Sequence, residues 1–162
     1  MSLSDLQGEG RLRRHRPSPE ETANLLRRAQ RDLQDAQVPA ISLDGRFVAA
    51  YHAALSLATA VLAAGGYRAG GEAHHATVFK ALPLVMGEDA RSAAAYYDTC
   101  RRKRNRALYD QVGQVSGDEV DGLIDSVREF MRLTHERYAE RFGERFGRRI
   151  GWVFTDETVG KW

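Results

Sequence analysis

Residues 98–110 carry the densest set of groups able to do chemistry. Arg101, Arg102, Lys103, Arg104, Asn105, Arg106 and Tyr109 lie between Asp98 and Asp110. On a helix each residue turns about 100°. That rotation puts Ala93, Tyr97, Cys100, Arg104 and Leu108 on one stripe, with Arg104 among apolar neighbours. Asp98, Arg101 or Arg102, Asn105 and Tyr109 form the adjacent stripe. The edge shared by the two stripes is suited to anions. Arginine supplies a fork of donors, asparagine a donor and an acceptor, and tyrosine a hydroxyl with a stacking face. Phosphate and a nucleobase are natural ligands for that set. The same pattern also describes a solvated basic face with one inward arginine anchoring a salt bridge. An inward guanidinium needs a partner in either case, because an unpaired buried charge is unfavourable.

Other residue types offer less. The five histidines, His15, His52, His74, His75 and His135, are scattered, and His135 has no histidine four residues on. No metal site is expected from them. Cys100 is the single cysteine, so no internal disulfide and no cysteine-based zinc site can form. It reads as a small core residue, and the chain as cytoplasmic. Gly65-Gly66 and Gly70-Gly71 lack the lysine of a phosphate loop, and no cofactor is expected.

The elements that must position Arg104 read as helices. Ser18-Pro19-Glu20-Glu21 is a capped helix start with a capping box, opening a helix over 19–37. A second helix begins near Ser42 or Asp44 and stops at Gly65-Gly66. A third follows Gly70-Gly71, and Pro83 is expected to kink or stop it. A fourth spans 89–112 and carries Arg104, and a fifth opens at the capping box Ser116–Glu119. Strand signals are poor except at Trp152-Val153-Phe154. The fold class is therefore all-α, an antiparallel bundle of four to five helices. Residues 1–18 read as a flexible polar arm, 19–141 as the bundle, and 142–162 as an Arg/Phe segment. In that last segment Phe142, Phe146 and Ile150 recur every four positions and would pack on the bundle or on a partner.

Charge and length narrow the function classes. The chain has 162 residues and a formal net charge of +2. Residues 1–16 carry a net +2, residues 98–110 a net +3 and residues 128–149 a net +3, leaving −6 elsewhere. A general polyanion binder is excluded, and any nucleic-acid site must be local. The longest apolar stretch, 53–64, falls short of the roughly 20 residues of a membrane span, so no membrane partner is expected.

Arg104-Asn105-x-x-x-Tyr109-Asp110 on the penultimate helix resembles the signature of the HEPN family (higher eukaryotes and prokaryotes nucleotide-binding). The earlier helices are similar too. Arg31-Asp32-Leu33 follows the capped start, then Phe47-x-x-x-Tyr51-x-Ala-Ala-Leu, then Gly66-Tyr67-Arg68 ahead of His74-His75. The similarity covers residues 20–138. It implies a helical bundle that forms a homodimer, with the arginine helices of two subunits meeting in a shared cleft. Many members are metal-independent endoribonucleases, often toxins paired with a nucleotidyltransferase-type partner protein. Their motif is Arg, often Asn, then four to six residues and a His. Here those spacings land on Tyr109, Asp110 and Gln111. Tyrosine, with a pKa near 10, is a poor base at neutral pH. The expectation is a HEPN-like domain that binds RNA or a nucleotide with weak or no ribonuclease activity, as part of a toxin–antitoxin or stress-response pair. Arg104 would contact phosphate, Asn105 orient the ligand, Tyr109 stack or hydrogen-bond, and Arg101, Arg102 and Asp110 complete the site. The alternative is a protein-interaction module in which Arg104 is purely structural.

Overall fold

The computed structural model describes residues 1–109 and 112–142. The chain runs α1 (Leu3–Gly8), β1 (Leu12–Arg14), α2 (Pro19–Asp35), α3 (Leu43–Ala64), β2 (Tyr67–Ala69), α4 (His74–Met86), α5 (Arg91–Tyr109) and α6 (Gly117–Phe142). A 3₁₀ turn, Glu88–Ala90, leads into α5. Among the described residues, five long helices and a two-stranded sheet make this an all-α bundle, as the sequence periodicity implies. Most of the 142–162 segment lies outside the described residues.

Helix α3 is the centre of the bundle. It packs against α2, α4, α5 and α6, so it has no solvent face wide enough for a polar stripe. Phe47, Tyr51, Leu57, Val61 and Leu62 are buried on its several sides. Between them Ala50, Ala53, Ala54, Ala58 and Ala60 let the neighbouring helices come close. With 22 residues α3 is long and apolar enough to cross a bilayer, but 67% of that apolar window is buried inside the bundle. The helix is longer than the 53–64 stretch suggests, and its apolarity is answered by packing. Gly65 ends it where a Cβ would lie 2.6 Å from Val85 Cγ1, so only glycine lets α4 pass this close.

The helix starts follow local chemistry. Ser18 Oγ accepts from the Glu21 amide at 3.1 Å, and Ser42 Oγ accepts from the Gly45 amide at 3.1 Å. Ser116 does the same for Glu119. At Ser18 only half of the expected capping box forms, because the Glu21 carboxylate turns instead to His15 Nε2 at 2.8 Å. Pro83 does not stop α4, which continues to Met86. It falls in the last turn, where the chain leaves after the Gly87 amide bonds to the Pro83 carbonyl at 2.9 Å.

The N-terminus differs from a flexible arm. Ser2 caps α1, and Leu6 and Leu12 are buried in the core. Strand β1 pairs antiparallel with β2 in the register Leu12↔Ala69, Arg13↔Arg68, Arg14↔Tyr67. The guanidinium of Arg14 stacks 4.8 Å over the Tyr67 ring. Gly66 makes the turn into β2 at φ +88°, a conformation that glycine adopts without strain. Three-residue strands contributing one buried leucine leave no periodic signal, which is why sequence patterning shows only a polar stretch here.

Candidate functional site

Helix α5 presents a stripe of Ala94, Tyr97 and Cys100 to the core, all buried. Tyr97 is pinned between Phe79 and Phe130, and its hydroxyl donates to the Ser126 carbonyl at 3.1 Å. One further turn along the same stripe brings Arg104 inward. Its guanidinium carbon lies 5.8 Å from the centre of the Tyr51 ring on α3. One terminal nitrogen donates to His52 Nε2 at 3.3 Å, and the other to Asn105 Oδ1 at 3.1 Å. The Nε–H of Arg104 is buried without an acceptor. Among the described residues, no carboxylate comes within ion-pairing distance of this half-buried cation.

The surrounding rings come from two other helices. Tyr51 is fully buried, and its hydroxyl meets His75 Nδ1 of α4 at 3.1 Å. His74 and His75 stack edge to face, with ring centres 4.4 Å apart. Burial, with the neighbouring His74 and the Arg104 cation next in weight, pushes the His75 pKa down to about 4. Burial and then Arg104 also hold His52 below the usual histidine range. Both rings are neutral at pH 7. His52 therefore offers its Nε2 lone pair to Arg104 and carries its proton on Nδ1. Burial raises the Tyr51 hydroxyl well above its ordinary value. His75 also forms part of the wall of a groove of about 680 Å³ between α2, α3 and α4.

The other basic residues of α5 are engaged elsewhere. Asp98 accepts from Arg101 Nε at 2.8 Å and pairs with Arg102 at 3.4 Å. Lys103 pairs with Glu119 of α6. Of the run Arg101-Arg102-Lys103-Arg104, then, Arg104 alone lacks a carboxylate among the described residues. Asn105 stands beside Arg104, and Tyr109 is the last residue of α5, while Asp110 lies outside the described residues. Cys100 is buried and its thiol is pushed up to about 11 by that burial, so it is an inert core residue. Among the described residues, no three His, Cys, Asp or Glu side chains converge to hold a metal ion.

Tyr51, His52 and His75 escape a reading confined to the Arg104 helix. Motif spacing is counted downstream of the arginine, whereas these rings reach it from α3 and α4. The signal available was polar: Tyr51-His52 interrupts an alanine-rich apolar helix, and His74-His75 opens the next one.

A family model described as SAV_6107-like HEPN matches residues 39–135, more than half of the chain. That span runs from the loop before α3 into α6 and so contains Tyr51, His52, His75, Arg104 and Asn105. No curated protein and no solved structure matches.

Proposed function

The chain belongs to the HEPN family, a nucleotide- and RNA-related group, and from that premise we propose that it binds a phosphate of RNA or of a nucleotide at Arg104, with little or no cleavage. The observation that carries this reading is the half-buried Arg104 guanidinium, which has aromatic and amide neighbours but no carboxylate among the described residues. A structural arginine in such a place ends on a carboxylate, because a buried charge otherwise goes uncompensated. An incoming phosphate supplies that compensation and takes the orphaned Nε–H as well. Asn105 and Tyr51 hold the fork in place for it.

Weak cleavage follows from the same geometry. His52 is the imidazole nearest the arginine, and its Nε2 already accepts from Arg104. The adjacent cation disfavours a second proton on that ring, which makes it a poor base. The setting we propose is a cytoplasmic homodimer, acting in a stress-response or toxin–antitoxin-like pair with a nucleotidyltransferase-type protein; dimerisation is common among HEPN domains.

The test is titration of labelled RNA at low and moderate salt, with cleavage followed on a gel. Arg104→Ala should weaken binding about 10- to 100-fold, the range for lost hydrogen bonds to a charged group. Wild-type affinity should fall steeply with salt. Absence of any RNA affinity at low salt would return Arg104 to a structural role in a protein-interaction module. Efficient cleavage by tag-free protein, lost in Arg104→Ala, would overturn the weak-activity part.

A further inference from the structure

The outer face of the small sheet carries a pair of like charges. Arg13 and Arg68 are direct cross-strand partners, and both are exposed. Like charges directly opposite one another on a sheet repel and destabilise the pairing. Neither arginine meets a carboxylate among the described residues, whereas Arg11, two residues before Arg13, is paired with Glu9. The two arginines line a second cavity of about 500 Å³ together with His74 and the backbone of Gly10, Gly70 and Gly71. No carboxylate lines that cavity among the described residues. The glycines leave its floor as bare backbone: a Cβ on Gly10, Gly70 or Gly71 would meet nothing within 4 Å.

This cavity adjoins the groove between α2, α3 and α4. Arg68, Ala69 and His74 are walls of both. Within the groove, Arg28 of α2 is a third arginine without a carboxylate, and it is near enough to His52 to depress that ring's proton affinity. At the far end His75 reaches the Tyr51 hydroxyl, on whose ring Arg104 rests. Glu20 and Glu21 line one edge of the groove, but Glu21 is occupied by His15. Arg13, Arg68 and Arg28 thus line two adjoining depressions, and Arg104 lies just beyond their lining, in contact with His52 and the Tyr51 ring. Rings stand beside them at Tyr67, His74 and His75.

We propose that Arg13 and Arg68 form a second phosphate site, and that one single strand of RNA runs from this pair through the adjoining groove, past Arg28, and leaves its His75 end to reach Arg104. The proposal rests on the reading of Arg104 as a phosphate contact and extends it from one phosphate to several. A strand supplies what the site lacks, repeated anionic charge at the arginines and bases for the rings between them. A duplex does not fit this arrangement, because the rings need unstacked bases.

Two probes separate the parts: the dinucleotide UpU, and an oligouridylate of about twelve nucleotides, within the length range of single-strand sites. Fluorescence anisotropy gives the ratio of their affinities for the wild type, for Arg13→Gln/Arg68→Gln and for Arg104→Gln, each checked for folding by thermal unfolding. The double variant should lower the long-to-short ratio about tenfold. It should also make the salt dependence of long-probe binding shallower by about 1.4, the value for two lost phosphate contacts to a single strand. An unchanged ratio and slope in the double variant, with both probes lost in Arg104→Gln, would remove the second site and leave the Arg104 reading intact. Long-probe binding that survives Arg104→Gln but not the double variant would remove the Arg104 reading. If neither probe binds wild type at low salt, both fall. An oligoglutamate peptide that competes as well as the long probe would overturn the assignment to nucleic acid.

Discussion

Arginine serves two opposite purposes on two sides of this bundle. On α6 and the α4–α5 turn it is a fastener. Arg132 ends on Glu129 and Glu136, Arg91 on Glu88, and Arg137 on Asp89 and the Met86 carbonyl. Around the sheet, the groove beside it and the inner end of α5, Arg13, Arg68, Arg28 and Arg104 meet no carboxylate among the described residues. Residues 98–110 and 128–149 have the same net charge of +3. Yet three arginines of the second window, Arg128, Arg132 and Arg137, are ion-paired, while Arg104 of the first is not. Net charge by segment therefore misplaces the available charge. What locates a site is the cation whose partner is missing.

The largest expected effect tests what the unpaired side stands on. Tyr51 is the buried floor beneath Arg104, flanked by His52, His75 and Phe79. Tyr51→Ala should destabilise the fold by about 3–5 kcal/mol, the range for emptying a core aromatic position. Tyr51→Phe removes only the hydroxyl that meets His75 and should cost about 1 kcal/mol. Chemical denaturation reads both. A small loss in Tyr51→Ala would mean that the cluster is not supported by the core.

A second pair of substitutions sets the two kinds of arginine against each other. Arg137→Met removes a tie between α6 and the α4–α5 turn and should cost about 1–2 kcal/mol. Arg104→Met replaces an unpaired half-buried cation by an apolar chain of similar length. Its stability should stay within about 1 kcal/mol of wild type or rise, as when buried charges give way to well-packed apolar groups. RNA binding should show the reverse order, falling in Arg104→Met and holding in Arg137→Met. Destabilisation greater in Arg104→Met than in Arg137→Met would make Arg104 a fastener and abolish the contrast.

The sequence discloses these features unequally. The long helices are legible because their causes are local: serine caps at 18, 42 and 116, and apolar stripes that repeat every three or four residues. Arg104 is legible because it continues the phase of Tyr97 and Cys100. The engagement of Arg101 and Arg102 by Asp98 was also within reach, since three and four residues along a helix are neighbours. His52 and His75 were hidden because they come to Arg104 from α3 and α4, through packing that no spacing on α5 encodes. The Arg13–Arg68 pair was hidden more deeply. Its strands are three residues long and far apart in sequence, and they join only once α3 and its glycine turn bring β2 back to β1.

Acid should act on the unpaired side first. His75 has a pKa of about 4 in the fold against an ordinary 6.5, so the unfolded chain binds the extra proton more readily. Stability from this group is complete above about 6.5 and is lost as pH falls toward about 4. The melting temperature should decline across that window, less steeply in His75→Gln. Inorganic phosphate should also flatten the decline, since an anion beside Arg104 offsets the cations that oppose protonation of His75. A decline unchanged in His75→Gln would place the acid sensitivity elsewhere.

The smallest effect is the sharpest control on the contrast. Arg132 lies on the exposed face of α6 between two glutamates, and exposed pairs of this kind add little to stability because water and salt screen them. Arg132→Gln should leave the melting temperature within replicate scatter. It should also leave binding of the long oligouridylate unchanged, although it removes the same unit of charge as Arg68→Gln. Equal weakening of RNA binding by Arg132→Gln and Arg68→Gln would mean that the protein senses only net charge, and the distinction between fastened and waiting arginines would have no functional content. Unequal weakening, with Arg68→Gln the greater, ties recognition to the position of each cation.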